Sequence, residues 1–364
     1  MTTTAAGDPT TAPGASNERG SGPLAALASA LCFGVSAPLA KRLLDDVPPL
    51  PLAALLYFGA GIGLAAYDAG RRLLVGRVDE TPLRAADVPT LATMIVIGGV
   101  IGPLLMLIGL QRVSGVVGSL LLNLEAPLTI VLALAFFGDH LDAGAFAGSA
   151  LVIAGAVLLS AVPGDTRADG VGVVALAAAA LGWALDNNLT QRLSARDPVM
   201  VARVKTLGAG VLGLGLSAAL GYASPSADAV GVALVVGFVG YGVSIVLAVA
   251  AMRRLGAARH AAFFATAPFI GAVTAVPLLG ETFTARAALV AIVMALGLVA
   301  LLRERHLHEH HHEALTHEHR HVHDEHHRHD HDGPVSEPHA HLHVHEPLTH
   351  AHPHRPDVHH RHRH

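Results

Sequence analysis

Between residues 23 and 302 the chain alternates long apolar runs with short polar clusters, and the runs carry no polar face. LVIAGAVLLS (151–160) and GVALVVGFVG (231–240) are apolar all round, whereas a helix of a soluble protein needs polar positions recurring with a period of 3.6. A helix needs about 20 mostly apolar residues to cross a hydrocarbon core of roughly 30 Å. Ten such segments are predicted, near 23–40, 50–69, 90–110, 115–137, 143–161, 171–190, 199–220, 229–251, 257–279 and 284–302. After residue 302 the pattern changes abruptly. EPHAHLHVHEPLTHAHPH (337–354) places histidine at nearly every second position, and its nine-residue unit is loosely repeated.

Composition reinforces this division: 24 of the 26 histidines lie beyond residue 303, leaving His140 and His260 in the body. The start, MTTTAAGDPTTAPGASNERGSG, is polar and lacks the cationic and apolar blocks of a signal peptide, so 1–22 is expected to be a disordered leader. With the N-terminus inside, the inner loops hold 11 Arg or Lys residues and the outer loops five, which predicts both ends in the cytoplasm of a plasma or inner membrane protein. Cys32, the single cysteine, lies in the first segment, so an intramolecular disulfide is excluded. There is no GxxxxGK[ST] phosphate loop and no triad spacing, so neither ATP hydrolysis nor other enzyme chemistry is expected.

The body contains an internal repeat. ALCFGVSAPLAKRLL (30–44) aligns with ALGWALDNNLTQRLS (180–194), GLQRVSG (109–115) with AAMRRLG (250–256), and APLTIVLALAFFGDHL (126–141) with APFIGAVTAVPLLGETF (267–283). The last alignment pairs Pro127 with Pro268 and Asp139 with Glu281. Each unit holds five segments, and because five is odd the second unit enters the membrane from the opposite side. The aromatics Phe33 and Trp183 in segments one and six, and the A-P…G-[DE] signature closing segments four and nine, resemble the EamA branch of the drug/metabolite transporter superfamily. Asp139 stands where glutamate is more usual. That resemblance implies an all-α integral membrane protein, a 5+5 inverted repeat with a central cavity, and secondary transport of small solutes driven by ion or proton gradients. The repeats would occupy 23–161 and 170–302, with 303–364 a disordered His-rich tail.

Ionisable groups inside spans are costly and so mark candidate sites. Glu125, beside Asn123 and two residues before Pro127, falls at a predicted helix break where a carboxylate could bind a cation or exchange a proton. The alternative is a structural, hydrogen-bonded carboxyl. Asp186, Asn187 and Asn188 follow Trp183 by a turn, and an Asp186–Lys205 pair would neutralise both charges as gate, clamp or structural bridge; Arg203 is expected to snorkel to the headgroups. Tyr57, Tyr241 and Thr266, the last being the repeat partner of Glu125, are candidate cavity-lining residues, and His260 is a candidate at the start of segment nine. Asp139 and Glu281 are expected to cap the helices that follow them. The GAGIG (59–63) and GAGVLGLG (208–215) runs point to close helix packing.

The tail supplies imidazoles at H-x-H spacing, good ligands for Zn²⁺, Ni²⁺, Co²⁺ or Cu²⁺. The candidates are His306, His308, His310, His317, His319, His321, His323, His339, His341, His343, His345, His350, His352 and His354, with interleaved carboxylates such as Glu309 and Glu318 as further ligands. Because imidazole titrates near pH ~6.5, the tail could also sense pH. Three readings follow. The first is a secondary transporter of a small organic metabolite or drug-like solute, requiring no cofactor, with a metal-binding tail. The second is a transition-metal transporter fed by the tail, and the third a membrane-anchored metal buffer. The spans lack the His, Cys, Met and Asp clusters expected of a dedicated metal path, which favours the first. Expected partners are the lipid bilayer, a small-molecule substrate and a second copy of the chain, but not nucleic acid.

Overall fold

The computed structural model describes residues 15–75, 81–137, 143–161, 169–193, 196–255, 260 and 263–302, and the backbone of 306–312, 315–321, 339–345 and 348–354. The first repeat runs α1 (Ala15–Leu43), α2 (Pro49–Val75), a third segment of α3 (Val88–Met94), a π turn (Ile95–Ile101) and α4 (Gly102–Arg112), then α5 (Gly115–Leu121), a 3₁₀ turn (Leu122–Leu124) and α6 (Glu125–Phe137), and α7 (Ala143–Ala161). The second runs α8 (Gly170–Arg192), α9 (Pro198–Ala219), then α10 (Ala227–Gly237), a π turn (Phe238–Val243) and α11 (Ser244–Leu255), then α12 (Ala267–Leu279) and α13 (Ala285–Leu302).

Among the described residues seven helical segments are long and apolar enough to cross a membrane, and three shorter apolar helices, Phe146–Ser160, Ala267–Leu279 and Ala285–Leu301, accompany them. Phe146, Val174, Val211, Val235, Leu289, Ile292 and Leu296 are each more than half exposed, an apolar outer surface that water would not tolerate and a bilayer requires. Alanines and glycines turn inward instead. A Cβ on Gly148 would lie 2.7 Å from the Gly297 carbonyl oxygen, and one on Gly297 would lie 2.8 Å from that of Gly148, so α7 and α13 touch backbone to backbone.

Helix ends follow local chemistry. Asp197 accepts from Val199 N–H (2.9 Å) and Met200 N–H (3.2 Å) ahead of Pro198 at the first helical position of α9. Ser114 caps α5 and Ser226 caps α10 in the same way. Gly280 closes α12 at φ 65°, a left-handed conformation suited to a residue without Cβ.

The packing repeats the internal alignment. α1 lies against α11 and α12, and α8 lies against α4 and α6 in the corresponding arrangement of the other half; α2 packs on α9 and α7 on α13, each an element with its own counterpart. The two π turns also fall in corresponding segments, three and eight. An i→i+5 turn widens the helix locally and frees backbone groups.

Regular elements fall in both stretches expected to be disordered. Helix α1 begins at Ala15, inside the stretch expected to be a disordered leader, because extending a helix already nucleated by an apolar span adds one hydrogen bond per residue fixed. The tail, expected to be disordered, contains strands β1 (His306–His312), β2 (Leu315–His321), β3 (His339–His345) and β4 (Leu348–His354), with β1 antiparallel to β4 and β2 to β3. Its x-His alternation has the two-residue period of a strand, which an argument from composition overlooks. His323 and Asp139 lie outside the described residues.

Candidate functional site

The fourth segment breaks where Pro127 predicts. Its 3₁₀ turn ends at Leu124, and Glu125 opens the restarted helix α6 with Pro127 in the first turn, where a missing N–H costs nothing. Segment nine repeats the device, with α12 restarting at Ala267 and Pro268 in its first turn. At the first break the Asn187 amide donates to Glu125 Oε1 at 2.7 Å, joining α8 to α6. Asp186, one residue earlier on α8, takes the Lys205 ammonium from α9. The Asp186 side chain is 6% exposed and that of Lys205 16%, so this is a buried ion pair. Asp186 Oδ1 has no hydrogen-bond partner among the described residues. Asp186 and Lys205 both act on Glu125 through Coulomb forces of opposite sign, which makes the three ionisable groups and Asn187 one cluster.

An aromatic wall adjoins this cluster. Gly98, in the first π turn, presents its carbonyl to both Tyr57 OH and Trp183 Nε1, each at 3.0 Å. Gly98 has no room for a side chain, because a Cβ there would collide with Asp186. From Tyr57 the aromatics continue to Tyr241 (ring centroids 5.5 Å apart), to Phe33 (5.6 Å, edge-on), to Phe264 (5.4 Å) and to His260 stacked on Phe264 (5.6 Å). The repeat partners Phe33 and Trp183 thus both abut a π turn of the opposite half. The site is chemically lopsided: segments four, six and seven supply charge and amide, segment three a backbone carbonyl, and segments one, two, eight and nine, with Trp183 of segment six, supply rings.

The structure brings Glu125, Asn187, Asp186, Lys205, Trp183, Tyr57 and Tyr241 together. Others it does not. Asn123 donates to the Leu120 carbonyl (3.1 Å) and approaches Met294 sulfur, away from Glu125. Asn188 donates to Thr129 and Ala184 carbonyls, binding α8 to α6 structurally. Thr266 Oγ1 donates to the Phe263 carbonyl at 2.6 Å and so closes its own turn. His260 is buried at the far end of the aromatic file, and its Nε2 has no hydrogen-bond partner among the described residues. Arg203 does not snorkel: it pairs with Asp68, a buried aspartate of α2 also approached by Arg71 and Arg72. The signal for this cluster was present in the sequence, since Asp68 is an acid inside an apolar run. Glu281 does not cap its own next helix, a task Thr284 performs; its carboxylate accepts from Gly115 N–H (2.6 Å) and Val116 N–H (2.9 Å) at the start of α5. Lys41 of α1 donates to the Val113 carbonyl (2.7 Å) and to that of Leu110, closing the end of α4 beside it. Among residues with described side chains, no three His, Cys, Asp or Glu groups stand together as a metal site.

Comparison with known proteins bears on this arrangement. The model of the EamA-like transporter family matches twice, over residues 20–161 and 170–303. A protein of Methanothermobacter thermautotrophicus described as an uncharacterized transporter is 31% identical over 293 residues, covering 77% of this chain and 85% of that one. A solved structure, described only as the crystal structure of a protein, superposes with a TM-score of 0.57 over 78% of this chain and 96% of its own at 18% identity, a likeness of fold.

Proposed function

The chain belongs to the EamA-like transporter family and is a multi-pass membrane transporter, and from that premise we propose that it carries a small organic solute by secondary transport coupled to protons through Glu125. The observation that supports this most is the bond from Asn187 to Glu125 beside the Asp186–Lys205 pair, at a helix break between the two repeats. A carboxyl held there by one neutral amide exchanges partners cheaply. When Glu125 is ionised, Asn187 and a cationic or hydrogen-bonding group of the solute satisfy it; when it takes a proton, the solute loses that contact and leaves. Binding of solute and of proton are thereby alternatives at one group, the condition for exchange of one against the other.

The aromatic file supports an organic solute with a polar end and an apolar body. Charged groups orient the polar end, while Tyr57, Tyr241 and Phe33 offer flat apolar surface to the rest. The inverted repeat supplies the two access states, one half rocking against the other around the site. Glu281 on the N–H groups of α5 and Lys41 on the carbonyls ending α4 hold one end of the bundle shut, and these bonds must open when the site turns to that side.

The test is reconstitution into vesicles of the full chain and of a chain ending at Arg305. Organic solutes from a cationic, zwitterionic and anionic panel are compared with Zn²⁺, Ni²⁺ and Co²⁺. Proton-linked flux of an organic solute in both proteins is the expected result. Flux of metal ions alone, lost on truncation, overturns the reading.

A further inference from the structure

The register of the tail strands brings histidine positions opposite histidine positions. In the β1–β4 pair, His306 faces His354, His308 faces His352 and His310 faces His350. In β2–β3, His317 faces His343, His319 faces His341 and His321 faces His339. From this juxtaposition of six His–His rungs on two antiparallel ribbons, we propose that the tail is a built binding site for borderline divalent transition ions, Zn²⁺ and Ni²⁺ foremost, with imidazole nitrogen as the sole ligand type.

The geometry of a ribbon carries the argument. Directly opposed residues have Cβ atoms about 4.5–5.5 Å apart, and the next rung on the same face lies two residues along, about 6.8 Å. Two neighbouring rungs, for example His308, His310, His350 and His352, therefore place four imidazole-bearing positions around a rectangle of about 5 by 7 Å. Four such positions match the coordination number zinc takes in closed sites, where Zn–N distances are about 2.0–2.1 Å. Each ribbon has three consecutive rungs on one face, so each accommodates one such four-position site.

The same register removes the carboxylates. Glu309 stands opposite Ala351 and Glu318 opposite Leu342, at positions of the other face from the rungs, so these acids do not share a face with the twelve rung histidines, although His311 lies on the face of Glu309. A nitrogen-only ligand set selects Zn²⁺, Ni²⁺, Co²⁺ or Cu²⁺ over hard ions such as Mg²⁺ and Ca²⁺, which require oxygen. An isolated two-stranded ribbon is marginal in water. Ion binding across rungs adds its free energy to strand pairing, so metal and ribbon form together. This inference is independent of which solute crosses the membrane.

The test uses the full chain in detergent micelles, titrated with Zn²⁺ against a competing chelator. His308→Ala with His310→Ala removes half of two rungs; His326→Ala with His327→Ala removes the same number of histidines from outside the paired strands. The first pair is expected to weaken the tightest Zn²⁺ binding about a hundredfold, and the second to leave it within about twofold. Equal losses in the two variants would show an unstructured polyhistidine and overturn the proposal, as would the absence of saturable Zn²⁺ binding in the native chain. The register is read separately by disulfide trapping on the side away from the rungs. Zn²⁺ is expected to accelerate bridging of Glu309→Cys to Ala351→Cys, its register partner, at least tenfold over bridging of Glu309→Cys to Pro353→Cys; equal rates contradict the ribbon.

Discussion

Replacing Lys205 by methionine keeps an unbranched stem of similar length and removes the ammonium. Asp186 then loses the partner of Oδ2 while Oδ1 already has none, in a side chain only 6% exposed. Insertion scales set a charge at a helix centre at about 2.5–3.5 kcal/mol. Breaking one side of a buried pair costs roughly 3–5 kcal/mol in soluble proteins. Both point to a loss of about 3 kcal/mol, more than a hundredfold in the folding equilibrium. Asp186→Asn with Lys205→Met removes both charges together and should recover most of it, giving a coupling energy of about 2 kcal/mol in the double-mutant cycle. The assay is reversible unfolding in mixed micelles followed by fluorescence of Trp183, the single tryptophan, which sits three residues before Asp186. A loss below about 1 kcal/mol for Lys205→Met, with effects additive to within about 0.5 kcal/mol, would refute the buried pair.

Other substitutions separate the roles of neighbours. Asn187→Leu deprives Glu125 of its amide donor and should lower solute flux in vesicles about tenfold or more, since a hydrogen bond to a charged group contributes about 1.5–3 kcal/mol; Asn188→Leu, whose contacts are backbone carbonyls, should leave flux per folded molecule within about twofold. Gly148→Leu drives a side chain into the Gly297 carbonyl and should destabilise the bundle by at least about 1–3 kcal/mol, read by thermal unfolding. Outside the spans, the hydrogen bond from Arg112, aided by Val171 N–H, holds the Asp169 carboxyl below its usual range. A lowered folded value contributes stability above the unfolded value near ~3.9 and loses it as pH falls through the folded value. Arg112→Gln should therefore flatten the acid limb of the stability curve below about pH 4. The flattening equals the stability lost near neutrality, where the contribution is fully present, and both should be slight because the pair is half-exposed.

How much of this was legible depends on which physics a residue obeys. The helices were readable because lipid demands long apolar runs, and the break before Glu125 because Pro127 withholds an N–H. Asp186 and Lys205 announced each other, since two opposite charges in apolar spans have few other ways to be neutralised. The π turns at Ile95–Ile101 and Phe238–Val243 left no mark in the sequence, as a change of hydrogen-bond register inside a helix alters no residue type. Arg203 was misread because snorkelling and pairing look alike until Asp68 is placed beside it. Glu281 was misread for a similar reason: a capping carboxylate shows its type in sequence but not whose helix it caps, and Gly115 lies 166 positions away. In the tail, the alternation of His339 to His345 has the two-residue period of the strand found there, a pattern that composition alone does not register.

The central claim, that solute and proton compete for Glu125, is tested most directly by solute-induced proton movement in vesicles carrying an entrapped pH dye. An outward-facing pulse of a transported solute should release protons from the native protein. In Glu125→Gln the release should vanish, while solute still equilibrates or exchanges with solute. Undiminished proton release from a folded Glu125→Gln protein would contradict the account.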